Sequence, residues 1–192
     1  MAPRLLMLAV TLFCLAPTIA RADDPDGSAP SQAPDRAVPP AGGAAPVELK
    51  IPSLSVDAPV FPVGMDDDGA MDVPPDADAV AWWSVGPGAG VPGNMVLSGH
   101  VDWGGRLRVF GWLRQLGPGD QVVVVDEQAR EFSYTVVESR WVPADAAPVQ
   151  EIFDGSGVGS GVSEITLITC GGDFDHDTHQ YLDRLIVRAT QA

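Results

Sequence analysis

From residue 47 onward the chain alternates between short apolar runs and clusters of Gly, Pro and Asp. The runs fall at residues 47–51, 56–60, 80–83, 95–97, 121–125, 132–137, 165–169 and 185–187. Several show period-two alternation or β-branched enrichment, and turn signals such as Gly117-Pro-Gly-Asp120 separate them, the pattern of strands joined by tight connections. About eight short strands of even spacing predict an all-β domain, either a closed barrel or a sandwich. Helix is scarce: 109–116 and 146–153, the latter around Pro148, are the two places where a short one fits.

The first 46 residues have a different texture. Arg4 precedes an apolar run from Leu5 to Ala16, Pro17 interrupts it, and Ala20-Arg21-Ala22 offers a small-x-small cleavage site. This predicts an export signal over residues 1–22. The run is well short of the ~20 residues a membrane-spanning helix needs, so an uncleaved anchor would be strained. Cys14 follows the bulky Phe13 and makes a poor lipoprotein acceptor. Residues 23–46 hold six Pro, six Ala and three Gly without apolar periodicity, which predicts a disordered tether. The folded domain is then 47–192, in an extracytoplasmic protein that is secreted or held at the cell surface.

Charge narrows the partners. Twenty-six acidic residues stand against eleven basic ones, for a net charge of −15, and the basic residues are ten arginines and a single lysine. No basic tract is present to replace phosphate counterions, so nucleic acid is excluded as a partner. An anionic lipid surface is disfavoured for the same reason. Gly 21 and Pro 18 suit a loop-rich β fold better than a helical bundle. The run Gly155-Ser-Gly-Val-Gly-Ser-Gly161 lacks the spacing of a phosphate-binding loop and precedes a strand rather than a helix. It reads as a flexible loop. Asp66-Asp-Asp-Gly69 reads as a solvated turn. Asp173, Asp175 and Asp177 alternate like the start of a calcium loop, but no Gly follows at the sixth position and the twelfth is Arg184, not Glu. No metal and no cofactor is therefore expected.

Cleavage after Ala22 would leave Cys170 as the one cysteine of an exported protein. The ordinary reading is a buried small hydrophobe; the alternative is a nucleophile. Cys170 ends the run Glu164-Ile-Thr-Leu-Ile-Thr-Cys170 and precedes Gly171-Gly172. His100 likewise ends Met95-Val-Leu-Ser-Gly-His100, and Arg184 opens Arg184-Leu-Ile-Val-Arg-Ala. A thiol, an imidazole and a guanidinium thus each lie at a strand terminus, where a scaffold can hold them rigidly. Thiolate attack on an amide needs a group of near-neutral pKa to manage protons, which His supplies. The oxyanion that forms needs a permanent positive charge or backbone N–H groups.

The order of these residues, with Leu167-Ile-Thr-Cys170 and Ser98-Gly-His100, resembles the sortases, cysteine transpeptidases built on an eight-stranded β-barrel. The detail is most similar to class F: Gly99-His-Val-Asp102, Leu116-Gly-Pro-Gly-Asp120, Thr166-Leu-Ile-Thr-Cys-Gly-Gly172, Phe174-Asp175, and the opening Ile51-Pro-Ser-Leu-Ser-Val-Asp-Ala-Pro-Val60. The resemblance implies an eight-stranded barrel with short helices and long loops. It also implies Cys170 as nucleophile, His100 as general acid/base and Arg184 as the group holding the oxyanion or the substrate backbone. The implied partners are a sorting-signal peptide of the Leu-Pro-x-Thr-Gly kind and an amine acceptor on the cell wall or on a protein, with the enzyme itself a monomer. One departure stands out. Where class F members read Tyr-Arg-Asp-Asn, this chain reads Tyr181-Leu-Asp-Arg184, so the family's Arg position falls on Leu182. Positions 182 and 184 share a face of an extended strand, which leaves Arg184 as the candidate, with Arg188 second. The alternative reading is a secreted β-barrel with a degenerate site that binds a peptide or wall component without turnover.

Overall fold

Eight strands close on themselves in the order β1 (Pro46–Ile51), β2 (Val56–Val63), β3 (Val80–Trp83), β4 (Gly93–Gly99), β9 (Ser163–Asp175), β10 (Gln180–Gln191), β8 (Glu131–Pro143) and β7 (Gln121–Asp126). The structure is a computed structural model that describes residues 42–66, 70–74, 76–155 and 161–191. The expected signal, most of the expected tether, residues 67–69 and most of the glycine-rich run lie outside the described residues. Within the segment 23–46, Ala44 bridges Ala89 and Pro46 opens β1.

Each of the eight apolar runs lies within one barrel strand. All the strands but β3 are longer than their runs, because their ends pair through further residues: β8 and β9 reach 13 residues each. Two neighbours are parallel, β2 with β3 and β4 with β9, and the remaining barrel pairs are antiparallel. A parallel pair needs a long crossover. The one between β4 and β9 contains a small hairpin, β5 (Asp102–Trp103) with β6 (Arg106–Leu107), and then β7 and β8.

Side chains alternate between the two faces of each strand. The inner face of all eight strands contributes to one apolar cluster that includes Leu49, Val60, Trp82, Leu97, Val124, Tyr134, Leu167 and Leu185. A second, smaller cluster lies on the opposite face of β3, β4, β9, β10 and β8, and comprises Met71, Ala81, Val96, Val142, Ile152, Ile168 and Ile186. Strands β9 and β10 are therefore buried on both faces along much of their length.

The two expected helices are shorter than their windows. Residues 109–116 form only a 3₁₀ turn, Leu113–Gln115. Phe110, Leu113 and Leu116 all enter the barrel interior, and a spacing of three suits the three-residue turn of a 3₁₀ helix rather than 3.6. Helix α1 (Val149–Asp154) begins directly after Pro148, whose carbonyl accepts from Ile152 N at 2.9 Å.

Candidate active site

Cys170 and Arg184 face each other across β9 and β10, and His100 directly follows the end of the neighbouring β4. In the antiparallel β9–β10 ladder Cys170 and Arg184 are direct partners, a relation that sets Cα atoms about 4.5–5.5 Å apart. In the parallel β4–β9 ladder each β4 residue faces the β9 residue seventy positions on, ending with Ser98 opposite Ile168. Two further residues bring His100 level with Cys170. A side-chain bond holds that extension in place: Thr169 Oγ1 donates to the Gly99 carbonyl at 2.7 Å. The chain then turns away, with Phe110 N donating to the His100 carbonyl at 3.0 Å.

All three lie on the outer face. Inner-face Ile165 and Leu167 alternate with outer-face Ile168, and inner-face Leu185 and Val187 with outer-face Ile186. Cys170 shares the parity of Ile168, and Arg184 that of Ile186. His100 continues the parity of Val96, whose neighbours Met95 and Leu97 point inward. The row therefore sits at one end of the second apolar cluster, outside the barrel.

Glycines make room for this arrangement. A Cβ on Gly99 would meet Val109 and Phe110 side chains at 2.8 Å, so His100 is reached only past a residue without one. Gly172 has φ +75°, in the left-handed region that glycine tolerates without strain. It lies where β9 gains one residue on β10, between the Tyr181–Phe174 and Asp183–Gly171 pairs, so the strand bends directly after Cys170.

Burial is uneven along the row. Cys170 and Arg184 are only 4% and 2% exposed, and His100 is half-buried. Arg184 Nη1 donates to the carbonyls of Tyr181 and Asp183, both at 2.9 Å, which fixes the guanidinium beside its own strand. Burial lowers its pKa and the neighbouring Asp183 charge opposes that; a guanidinium stays protonated at neutral pH nonetheless. Burial likewise lowers the His100 pKa below its ordinary value, opposed by the Asp102 charge and reinforced by Arg108. His100 is thus mainly neutral at pH 7 and able to accept a proton. The nucleophilic form of a cysteine is its thiolate, so any chemistry at the Cys170 sulfur belongs to the reduced protein.

Of the residues around the row, Trp103 was not singled out by the sequence pattern, and Phe174 and Tyr181 entered only as parts of motifs. Trp103 packs edge-on against His100 with ring centroids 5.0 Å apart. The Tyr181 phenol, pushed up to about 12 by burial and by its hydrogen bond to Asp102, ties β10 to the segment after β4. Phe174 contacts both Tyr181 and His176 edge-on. Asp175, one of the alternating acids, caps the β9–β10 turn by accepting from Asp177 N at 2.8 Å. Leu182 is 50% exposed, in contrast to Arg184. Arg188, the second candidate, lies two outer-face positions beyond Arg184 and donates to the Glu151 carbonyl of α1 at 3.1 Å.

A row of thiol, imidazole and guanidinium on the outside of a closed barrel is accompanied by a family match over most of the chain. The Sortase domain model matches residues 49–192. The chain belongs to the sortase family. Solved sortases of several classes share the fold. Sortase A of Listeria monocytogenes is 21% identical, covering 77% of this chain and 88% of its own, with a TM-score of 0.57. Sortase A of Actinomyces oris is 22% identical over 78% of this chain and 81% of its own, TM-score 0.57. Sortase C-1 of Actinomyces oris is 22% identical over 76% and 72%, TM-score 0.55. No curated protein matches the chain at a significant level. Among the described residues no helix is long and apolar enough to cross a membrane.

Proposed function

We propose that this sortase is an extracytoplasmic cysteine transpeptidase, most similar to class F in its motifs, in which Cys170, His100 and Arg184 act together. The observation that carries the reading is their placement, with Cys170 facing Arg184 across β9 and β10 and His100 directly after the end of β4. In its reduced form Cys170 gives up its proton to His100, and the thiolate attacks the Thr carbonyl of a Leu-Pro-x-Thr-Gly-like signal. Arg184 holds the oxyanion or the adjoining substrate carbonyl. The C–N bond to Gly breaks, and His100 returns its proton to the departing amine. The resulting thioester is attacked by an acceptor amine of the wall or of another protein. That amine passes its proton to His100, the C–S bond breaks, and the thiol is regenerated. Water in place of the amine gives hydrolysis.

Arg184 is preferred to position 182 because it is buried beside Cys170 while Leu182 is half exposed. The exported location rests on residues 1–22 and the domain limits on the composition change near residue 46.

Incubating the reduced protein with a fluorogenic sorting-signal peptide tests the reading. Cleavage by wild type that is lost in Cys170→Ala is expected. Equal rates for the two proteins across several such peptides would leave only a barrel that binds without turnover.

A further inference from the structure

We propose that Tyr181 and Asp102 form a positioning pair for His100: the phenol on β10 holds the Asp102 carboxylate beside the imidazole, and the carboxylate steadies the protonated ring for the step in which the leaving amine takes its proton. The inference deepens the transpeptidase reading above and rests on it. Asp102 follows His100 by two residues and pairs with Leu107 in the small hairpin. Tyr181 stands three residues before Arg184 and pairs with Phe174 of β9. The hairpin closes over the imidazole. Trp103, next to Asp102, packs edge-on against His100 with ring centroids 5.0 Å apart. Arg108 donates to the Trp103 carbonyl from Nη2 at 3.4 Å and to the Val101 carbonyl from its backbone N at 3.0 Å.

Strand β5 has two residues and turns at once through Gly104 and Gly105, with φ +61° and +74°, so its backbone restrains the Asp102 side chain little. The hydrogen bond from the Tyr181 hydroxyl supplies that restraint from β10. Phe174 packs edge-on against the Tyr181 ring at 5.1 Å, and a phenol pushed up to about 12 stays a donor at neutral pH. The charged and titratable groups around the imidazole are Asp102 and Arg108 from the hairpin, Cys170 from β9, and Arg184 and Tyr181 from β10. Burial disfavours imidazolium most; the Asp102 charge favours it and the Arg108 charge opposes it. Arg108 is itself engaged by Asp78 at 2.9 Å. Asp102 is therefore the charge that offsets burial when His100 carries the proton, and Tyr181 keeps it in place.

The test reads His100 directly, by NMR titration of the histidine ring protons in the reduced full chain, with His100→Gln identifying its signal among the three histidines. In Asp102→Asn, His100 should titrate at lower pH than in wild type; in Arg108→Gln, at higher pH. A general loosening of the hairpin would not give opposite signs. Tyr181→Phe keeps the ring on Phe174 and should shift His100 in the same direction as Asp102→Asn, by less, and should add nothing in the Asp102→Asn background. With a sorting-signal peptide, kcat should fall about tenfold in Asp102→Asn and about threefold in Tyr181→Phe, KM staying within about twofold. Should Asp102→Asn unfold, Tyr181→Phe must show its shift alone. An unchanged or upward titration in Tyr181→Phe, a Tyr181→Phe shift that persists in the Asp102→Asn background, or a wild-type kcat in Asp102→Asn would each overturn the proposal. The titration needs no turnover, so a wild type that titrates as expected but cleaves no peptide would count against the transpeptidase reading and not against the pair.

Discussion

Strands β4, β9 and β10 present two unlike faces. Inward they contribute Met95, Leu97, Ile165, Leu167, Leu185, Val187 and Ala189 to a continuous apolar interior. Outward the same strands carry Asn94, Glu164, Thr166, Cys170, Arg184 and Arg188, interrupted by Val96, Ile168 and Ile186. Both sets are buried, so exposure does not separate them; chemistry does. Buried polar groups are retained only where partners satisfy them. Here those partners are largely the backbone of neighbouring segments: Arg184 on two carbonyls of its own strand, Arg188 on α1, Asn94 on α1 and Thr166. The inner face makes the barrel; the outer face uses the barrel's rigidity to hold polar groups in register.

If that division is right, substitutions on the two faces separate stability from activity. The largest effect on activity belongs to Cys170→Ala, which should lower kcat/KM for peptide cleavage by about 10⁴-fold or more, measured with a fluorogenic signal. Next comes Arg184→Met, expected to reduce kcat by about 10²–10³-fold. Circular dichroism should show the barrel still folded in both variants. On the inner face the pattern reverses. Leu167→Ala should destabilise the protein by about 2–5 kcal/mol in urea unfolding, while its folded fraction cleaves at close to the wild-type rate. A wild-type stability for Leu167→Ala, or an Arg184→Met that unfolds without a change in kcat, would erase the distinction between the faces.

The smallest effect is a displacement in pH. His100 has its pKa lowered chiefly by burial, so the neutral imidazole persists to a lower pH than in the unfolded chain. The rate falls as pH drops and His100 takes up a proton, and the acid limb of kcat/KM should lie below the ordinary value of about 6.5. Folding shows the same sign: between the folded and the unfolded pKa the unfolded chain binds more protons, so this group's contribution to stability falls as pH drops through that window. An acid limb at or above 6.5, followed by stopped kinetics across pH 5–8, would show that His100 is not held as the structure has it.

Much of this was legible in the sequence. Each of the eight apolar runs marks a barrel strand, and the three strand-end residues come together in one row. The face on which they sit was not legible. Residues 163–171 are buried without interruption, and a strand covered on both sides reads as a continuous apolar run that hides its alternation. Leu182 and Arg184 illustrate the same limit: they share a parity in β10, yet one is half exposed and the other buried, because the ladder irregularity beside Gly172 changes what covers them. The anchoring of α1 was invisible for another reason. Asn94, Thr166 and Arg188 stand on three different strands and come together only through the parallel β4–β9 and antiparallel β9–β10 ladders.

The central claim is that the sulfur of Cys170 carries the acyl group. Intact-mass spectrometry of the reduced protein mixed with a Leu-Pro-x-Thr-Gly-containing peptide tests it directly. The account predicts an adduct with the mass of the peptide up to and including Thr, less the water lost in acylation. The adduct should map to Cys170, be absent from Cys170→Ala, and be discharged by hydroxylamine. Cleavage of the peptide with no adduct on Cys170, or an adduct that persists in Cys170→Ala, would contradict it.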